Sequence, residues 1–483
     1  MNRLNLEFSL SEVLWSAAGV AFVGVVADDA LIALATLILL LGLKLVSTGD
    51  RLFVMPAAFA FHWSQTTLGL LYFDVMGREV PAISTSDYRP MVLIGLGCVL
   101  AIAVGVRLGL SLVKRPIDDD RPQFAFSLGL LATIYISTVG SQGILATLAL
   151  ENPSIRQILV SIDTARLGLL FLILRRLLHP VPRWGWVSAV VLGEVVLGIT
   201  GFFAGFREPI VLAAIATLEI FDRRNVRHWI VLTVSGVAVV ALGMLWMAIR
   251  GEYRREFIDV DKFQESRSAR VDRVSSLGAE WLNGKSETMW ETADKLVDRM
   301  WTVYYPALAL ARVPSHVPHS DGEILKAALI HIVTPRIFFP GKPNLQSDSE
   351  KVRKYSGVMV AGAEQNTSIA FGYAAESYVD FGLPWMFLPV VVFGVAIGWV
   401  YALFRKLLWH HELFISFATV TIWLALYLFE RSWATMLGVT TGLIVYLGVP
   451  VLLLDRLLLV KFFTQKETED GTFQQLQHPS QIR

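Results

Sequence analysis

The chain has 483 residues, 54% of them hydrophobic and only 17% charged, and its formal net charge is +1. Soluble domains carry about 25% charged residues, so this composition, with a mean hydropathy of +0.55, excludes a water-soluble globular protein and a disordered one. The near-zero net charge gives no electrostatic footprint for nucleic acid, and a single cysteine, Cys98, allows neither an intrachain disulfide nor a cysteine-built metal site.

Repeated apolar runs of about 20 residues predict an all-α, polytopic helical membrane protein. The runs are apolar all round and do not alternate every second residue, which excludes a membrane β-barrel. About twelve spans are expected, near 9–27, 30–46, 52–73, 90–113, 124–149, 157–178, 185–203, 208–221, 229–249, 384–404, 413–430 and 435–459. One Arg precedes the first run and no small-residue cleavage site follows it, so that run reads as a retained span. The span near 208–221 is short and could be half of a re-entrant pair.

The basic short loops at 44–51, 114–121, 175–183, 223–228 and 405–411 all fall on one side when both termini are cytoplasmic. The loops at 28–29, 74–89, 150–156, 203–208, 250–383 and 431–434 then face outward. The expected units are a first bundle of about nine spans over 1–249, an outer loop domain over 250–383, three last spans over 384–460 and a polar cytoplasmic tail over 461–483.

The loop stands apart from every other connection. Residues 250–380 carry 17 Lys and Arg and 18 Asp and Glu, over a third of the chain's charged side chains. A connection of that length is a folded functional element. Helices are expected near 265–282, 287–312 and 322–333, and the aromatic stretch at 300–311 is expected on the membrane surface or packed over the spans. From Pro335 the chain reads as loop.

Several constellations can carry chemistry. Arg207, in the sequence Gly205-Phe206-Arg207-Glu208-Pro209, sits in a short outer loop beside a helix start. It is either a phosphate ligand or a snorkelling cation paired with Glu208. Arg250, Arg254 and Arg255, and then Arg267, Arg270 and Arg273, form cationic stripes that suit pyrophosphate or are solvated faces paired with nearby acids. The proline-stiffened segment 335–343 projects Arg336 and Lys342, with His331 before it and Asp348, Lys351, Arg353 and Lys354 after it. It is a polyanion clamp or a plain connector. Gln365-Asn366-Thr367-Ser368 and the run from Gly372 to Gly382 supply amides, hydroxyls, Tyr373, Tyr378, Glu376 and Asp380. The two acids are i, i+4, and either could act as a general base, or Asp380 caps and Glu376 is solvated. Asp163, Arg166, Glu194 and His62 lie within spans, where ionisable groups are functional hypotheses, though Asp163 and Arg166 could neutralise each other. His410-His411 point in different directions on a helix and give no metal site.

Many spans, one large outer loop before the last of them, an isolated Arg in a preceding short outer loop, P-R-I-F-F-P-G-K-P at 335–343 and T-S-I followed by G-Y-A-A-E-S-Y-V-D-F-G up to 382 together resemble the O-antigen or oligosaccharide repeat-unit polymerases (Wzy-type). The resemblance implies a GT-C-like, metal-independent and cofactor-free glycosyltransferase of the bacterial inner membrane. Its donor would be a glycan on undecaprenyl pyrophosphate, and its acceptor a second lipid-linked repeat unit. Partners would be the lipid bilayer and a chain-length regulator and flippase of the same pathway. On this reading Arg207, Arg250, Arg254, Arg336 and Lys342, with Arg353, are the candidates for the pyrophosphate, Glu376 and then Asp380 for the base, and Tyr373 and Tyr378 for the sugars. An O-antigen ligase shares nearly all these features. A lipid-linked oligosaccharide flippase could use Asp163, Arg166 and Glu194. Asp28-Asp29 is the acid pair a metal-dependent polyprenyl-phosphate-sugar transferase would need, in a loop only a few residues long.

Overall fold

A computed structural model describes residues 18–20, 22–23, 30–48, 52–77, 88–113, 126–152, 154–199, 207–222, 224–257, 267–284, 288–336, 338–339, 341–362, 364 and 367–458. Asp28, Asp29, Gly205, Phe206, Gln365, Asn366, most of the first expected span and the tail lie outside the described residues, as do the side chains of Arg254 and Arg267. Among the described residues all regular structure is helical, because helices satisfy their own backbone groups where water is absent.

The helices before the loop are α1 (Ala30–Val46), α2 (Val54–Val75), α3 (Arg89–Ser111), α4 (Leu128–Glu151), α5 (Arg156–Leu178), α6 (Trp184–Ile199), α7 (Arg207–Glu219) and α8 (Val226–Phe257). Those of the loop are α9 (Arg267–Leu282), α10 (Met289–Met300), α11 (Tyr304–Arg312), α12 (Glu323–Val333), α13 (Asp348–Ser356) and α14 (Gly372–Phe381). After it come α15 (Phe387–Leu407), α16 (His411–Leu426) and α17 (Trp433–Leu443), which runs on through a π turn at Ile444–Gly448.

Among the described residues, five helices are long and apolar enough to cross a membrane: Arg89–Ser111, Arg156–Leu178, Val226–Tyr253, Phe387–Leu407 and Trp433–Leu458. Three shorter apolar helices, Ala30–Val46, Trp184–Gly198 and His411–Leu426, accompany them. The chain is a helical membrane protein. Against the expected twelve or so spans, the described residues carry these five helices of spanning length and the three shorter apolar ones. Helix α7 has 13 residues, about 20 Å of helix against a hydrocarbon core of about 30 Å. Helix α2 is continuous, but its apolar run is interrupted by His62, Gln65, Thr66 and Thr67, all buried inside the protein.

Two helices far apart in sequence set the frame. Gly105 and Gly109 of α3 face Gly394 and Gly398 of α15. A Cβ on Gly109 would lie 2.1 Å from the Val395 carbonyl oxygen, and one on Gly398 2.1 Å from that of Val106. Small residues four apart let the two backbones touch, the interface that binds helices where lipid removes the hydrophobic drive. By contrast, only 6% of the apolar window of α8 is buried in the protein.

The loop helices lock onto this frame. The expected helix over 287–312 is two helices, because Trp301 leaves the helical path to fill the space over Gly69 of α2 and donates its Nε1–H to the Thr66 carbonyl at 2.9 Å. The chain restarts as α11 with Pro306 in its first turn, where a missing N–H costs nothing. Helix α13 falls where loop was expected. Ser347 accepts the Glu350 N–H at its start, and Gly357, with φ of 74°, ends it in the left-handed region.

Candidate functional site

The α16–α17 connection, residues 427–432, is the centre of the site. It is gripped from α2. The Gln65 side chain donates to the Tyr427 carbonyl at 2.6 Å and accepts the Phe429 N–H at 2.9 Å. His62 Nδ1 donates to the Leu426 carbonyl at 2.6 Å. In the neutral ring the other nitrogen, Nε2, then accepts a hydrogen bond from the Tyr373 hydroxyl at 2.8 Å. Gly372, with φ of 89°, lets the start of α14 press on the Phe429 carbonyl, which a Cβ would meet at 2.8 Å.

Three arginines from three separate stretches converge on this connection. Arg207, the first residue of α7, donates to Glu208 at 2.8 Å and to the Tyr427 hydroxyl at 3.2 Å. Its guanidinium lies 4.9 Å from the centre of the Tyr427 ring and 5.8 Å from that of Phe61. Arg299, near the end of α10, makes a two-pronged pair with Glu430 at 2.5 and 2.9 Å. Arg431 donates to the Leu424 carbonyl and lies 4.9 Å from the centre of the Tyr427 ring. Trp423 stacks on Tyr427 with centroids 5.1 Å apart.

The cluster is unbalanced in charge, with Glu208 and Glu430 against three guanidinium groups. Arg431 is held by neutral groups, and burial together with the nearby Arg207 pushes its guanidinium below its ordinary pKa. The Arg207 Nε is buried without a hydrogen-bond partner. Arg299 is half exposed and held firmly charged by its hydrogen bond to Glu430. Fork-shaped donors with an excess positive charge, a spare buried N–H and a solvent-facing member suit a dianionic or more highly charged oxyanion such as a diphosphate.

Several of the other predicted site residues have partners outside this cluster. Arg336 donates to Asn344, and Lys342 donates to the His331 and Thr334 carbonyls at 2.6 and 2.8 Å, capping the end of α12. Arg353 is bound to the Val360 carbonyl and Glu364. Arg250 lies on the last turns of α8. Arg270 and Arg273 of α9 serve that helix as well, Arg273 through Glu256 at 2.5 Å and Arg270 through Tyr253. Within the spans Arg166 pairs with Glu194, which also accepts from Tyr135, while Asp163 accepts from Gln142 at 3.2 Å. Asp163 and Arg166, expected as mutual partners, thus have different ones.

The two candidate bases have structural partners. Asp380 accepts from the Ile324 N–H at 3.1 Å, the Leu325 N–H at 2.8 Å and the Ser320 hydroxyl at 2.6 Å, so it caps α12 from a neighbouring helix. Glu376 is not solvated. It is fully buried, paired with Lys351, and accepts the Trp433 N–H at 2.6 Å. Tyr373 is buried against His62, away from any sugar, while Tyr378 is partly exposed with its hydroxyl donating to the Val313 carbonyl at 3.0 Å. Among the described residues, no three His, Cys, Asp or Glu side chains gather as a metal site would need.

The profile of a family described as a domain of unknown function (DUF8712) matches residues 108–433, more than half of the chain. The chain belongs to the DUF8712 family. No curated protein and no solved structure matches it. The DUF8712 region takes in Arg207, Arg299, Glu430 and Arg431 and ends at Trp433, while the helix that grips the connection from behind, α2, precedes it.

Proposed function

We propose that this DUF8712 protein is a glycosyltransferase of the bacterial cytoplasmic membrane, with a GT-C-like plan, that polymerises oligosaccharide units carried on undecaprenyl pyrophosphate at the outer face. The observation that carries the reading is the convergence of three arginines on the 427–431 stretch, Arg207 and Arg431 at Tyr427 and Arg299 at Glu430, with one positive charge in excess. In such a reaction the acceptor hydroxyl oxygen bonds to the anomeric carbon of the donor, the bond from that carbon to the diphosphate breaks, and the lipid diphosphate leaves with the electron pair. Guanidinium groups stabilise the charge that develops on it. The acceptor proton needs a carboxylate within reach of the cluster. Among the described residues Glu430 and Glu208 are the acids in contact with these arginines, and they take the role first assigned to Glu376 and Asp380.

The test is a glycan gel from the source organism with this gene deleted, complemented with wild type or Arg299→Ala. Long chains vanishing while single repeat units persist, restored by wild type and not by Arg299→Ala, is the expected result. Loss of even the single capped unit, with precursor facing outward, would indicate a ligase. Precursor trapped on the inner face would indicate a flippase and contradict the proposal.

A further inference from the structure

We propose that Asp348, Lys351 and Glu376 form a positioning unit that fixes the 427–433 connection, and through it Glu430 and Arg431, without exchanging a proton with substrate. The inference deepens the reading of the arginine cluster as the anion site and rests on it.

The three side chains come from two loop helices, α13 and α14, and meet the chain immediately after Arg431. The Lys351 ammonium bridges Glu376 and, at 2.8 Å, Asp348. The second oxygen of Glu376 accepts the Trp433 N–H, and the second oxygen of Asp348 accepts the Ser432 hydroxyl at 3.0 Å. The Trp433 indole N–H is taken by Ser377, one residue beyond Glu376, at 2.9 Å. Ser432 in turn caps the start of α17 through the Thr435 N–H. Two carboxylates, one ammonium, two hydroxyls and two N–H groups thus define where residues 432 and 433 lie.

On the other side Gln65 and His62 hold residues 426–429. Glu430 and Arg431 are the two residues between these grips, and their side chains are the ones that reach Arg299 and Tyr427. Moving either grip moves the cation site. Glu376 is closed off from solvent: both of its oxygens are occupied and its surface is wholly covered. A proton acceptor for a sugar hydroxyl must touch that hydroxyl; a positioning residue need only hold the group that does.

The buried Lys351–Glu376 pair has a neutral replacement. Glu376→Gln keeps an oxygen for the Trp433 N–H, and Lys351→Met removes the cation whose partner has gone. A buried pair is damaged far more by losing one member than by losing both. The experiment measures amide hydrogen exchange across residues 427–433 in the full-length protein in detergent, for wild type, Lys351→Met, Glu376→Gln and the double variant. Lys351→Met is expected to exchange at least about tenfold faster in this segment, with the double variant back within about threefold of wild type. Unchanged exchange in Lys351→Met, or a double variant no slower than Lys351→Met, overturns the proposal. If Lys351→Met does not fold alone, Glu376→Ala replaces it. Lacking an acceptor, it should exchange at Trp433 about tenfold faster than Glu376→Gln, and equal rates overturn the proposal.

The same variants are then scored for polymer in the deletion strain. The double variant is expected to recover polymer lost in the single one. Restored exchange without polymer, where wild type makes it, would mean that Glu376 acts directly in proton transfer, and overturns the proposal. A wild-type gene that does not restore polymer would overturn the proposed function, and the exchange measurement would still decide the positioning unit.

Discussion

The arginine cluster and the Asp348–Lys351–Glu376 unit adjoin each other along the chain, with Glu430 and Arg431 in one and the contacts of Ser432 and Trp433 in the other. Their physical states are opposite. In the unit, one cation lies between two carboxylates, Glu376 is fully buried, and the remaining acceptors are filled by the protein's own donors. In the cluster cations outnumber acids, Arg299 is 51% exposed, and a buried donor on Arg207 is unused. A closed set of charges can hold a backbone in place. An open set, short of negative charge, can accept an anion from outside. The contrast assigns structure to the first and ligand to the second.

The sharpest way to break the contrast is to exchange the consequences of the two sets. Arg299→Ala and Arg431→Ala are expected to reduce polymer at least about 100-fold at normal protein level, read on a glycan gel against an immunoblot. Arg431→Lys should be nearly as severe, because an ammonium lacks the planar fork. Polymer at wild-type level in either alanine variant would remove the cluster from the chemistry.

Stability should divide the other way. Lys351→Met strands a buried carboxylate and is expected to cost about 3–5 kcal/mol, seen as a lower melting temperature in detergent. Arg299→Ala removes an exposed pair worth about 1 kcal/mol or less. A larger loss of stability for Arg299→Ala than for Lys351→Met would reverse the assignment. Asp380→Ala should fall between them, at about 1–2 kcal/mol, because it uncaps α12. Faster amide exchange at Ile324 and Leu325 would mark the lost cap.

The smallest effect is a pH dependence. Burial raises the Glu376 carboxyl above its ordinary value of 4.5, more than Lys351 lowers it. Its folded pKa exceeds its unfolded one, so the native state takes up a proton as pH falls through the folded value toward 4.5. Wild type should therefore gain stability relative to Glu376→Gln as the pH falls across that window, seen as a rising difference in melting temperature. A gap that moves the other way would mean that the carboxylate form is the one the fold favours.

Part of this was legible in the sequence. The apolar runs placed helices at most of the expected spans, and the loop domain stood out by its charge and length. Arg207 stands out in the sequence because charge in a short outer loop is conspicuous, and the structure places it at Tyr427. The same argument applies to Arg431, which opens the expected short outer loop at 431–434, and points to a second member of the cluster. Arg299 carries no such mark, since it is one charge among many on an amphipathic helix. The i, i+4 spacing of Glu376 and Asp380 did put both on α14, but spacing does not report burial. Their partners come from Lys351, Ser320 and the start of α12, contacts set only by tertiary packing. Helix α13, which supplies two of the three charges of the unit, was announced by Ser347 three residues before Glu350 and by Gly357 after it. The run of prolines before it masked that signal. The facing glycines of α3 and α15 were also present in the sequence, four apart in each helix, but only the fold pairs them.

The most direct test of the arginine cluster as a diphosphate site is equilibrium binding of a short-chain polyprenyl pyrophosphate to the purified full-length protein in detergent. Binding should be saturable, weaker for the corresponding monophosphate, and at least about tenfold weaker in Arg299→Ala and in Arg431→Ala, the loss expected when a charge-assisted fork is removed. Equal affinity in wild type and both variants would contradict the account, because the lipid diphosphate would then be held somewhere else.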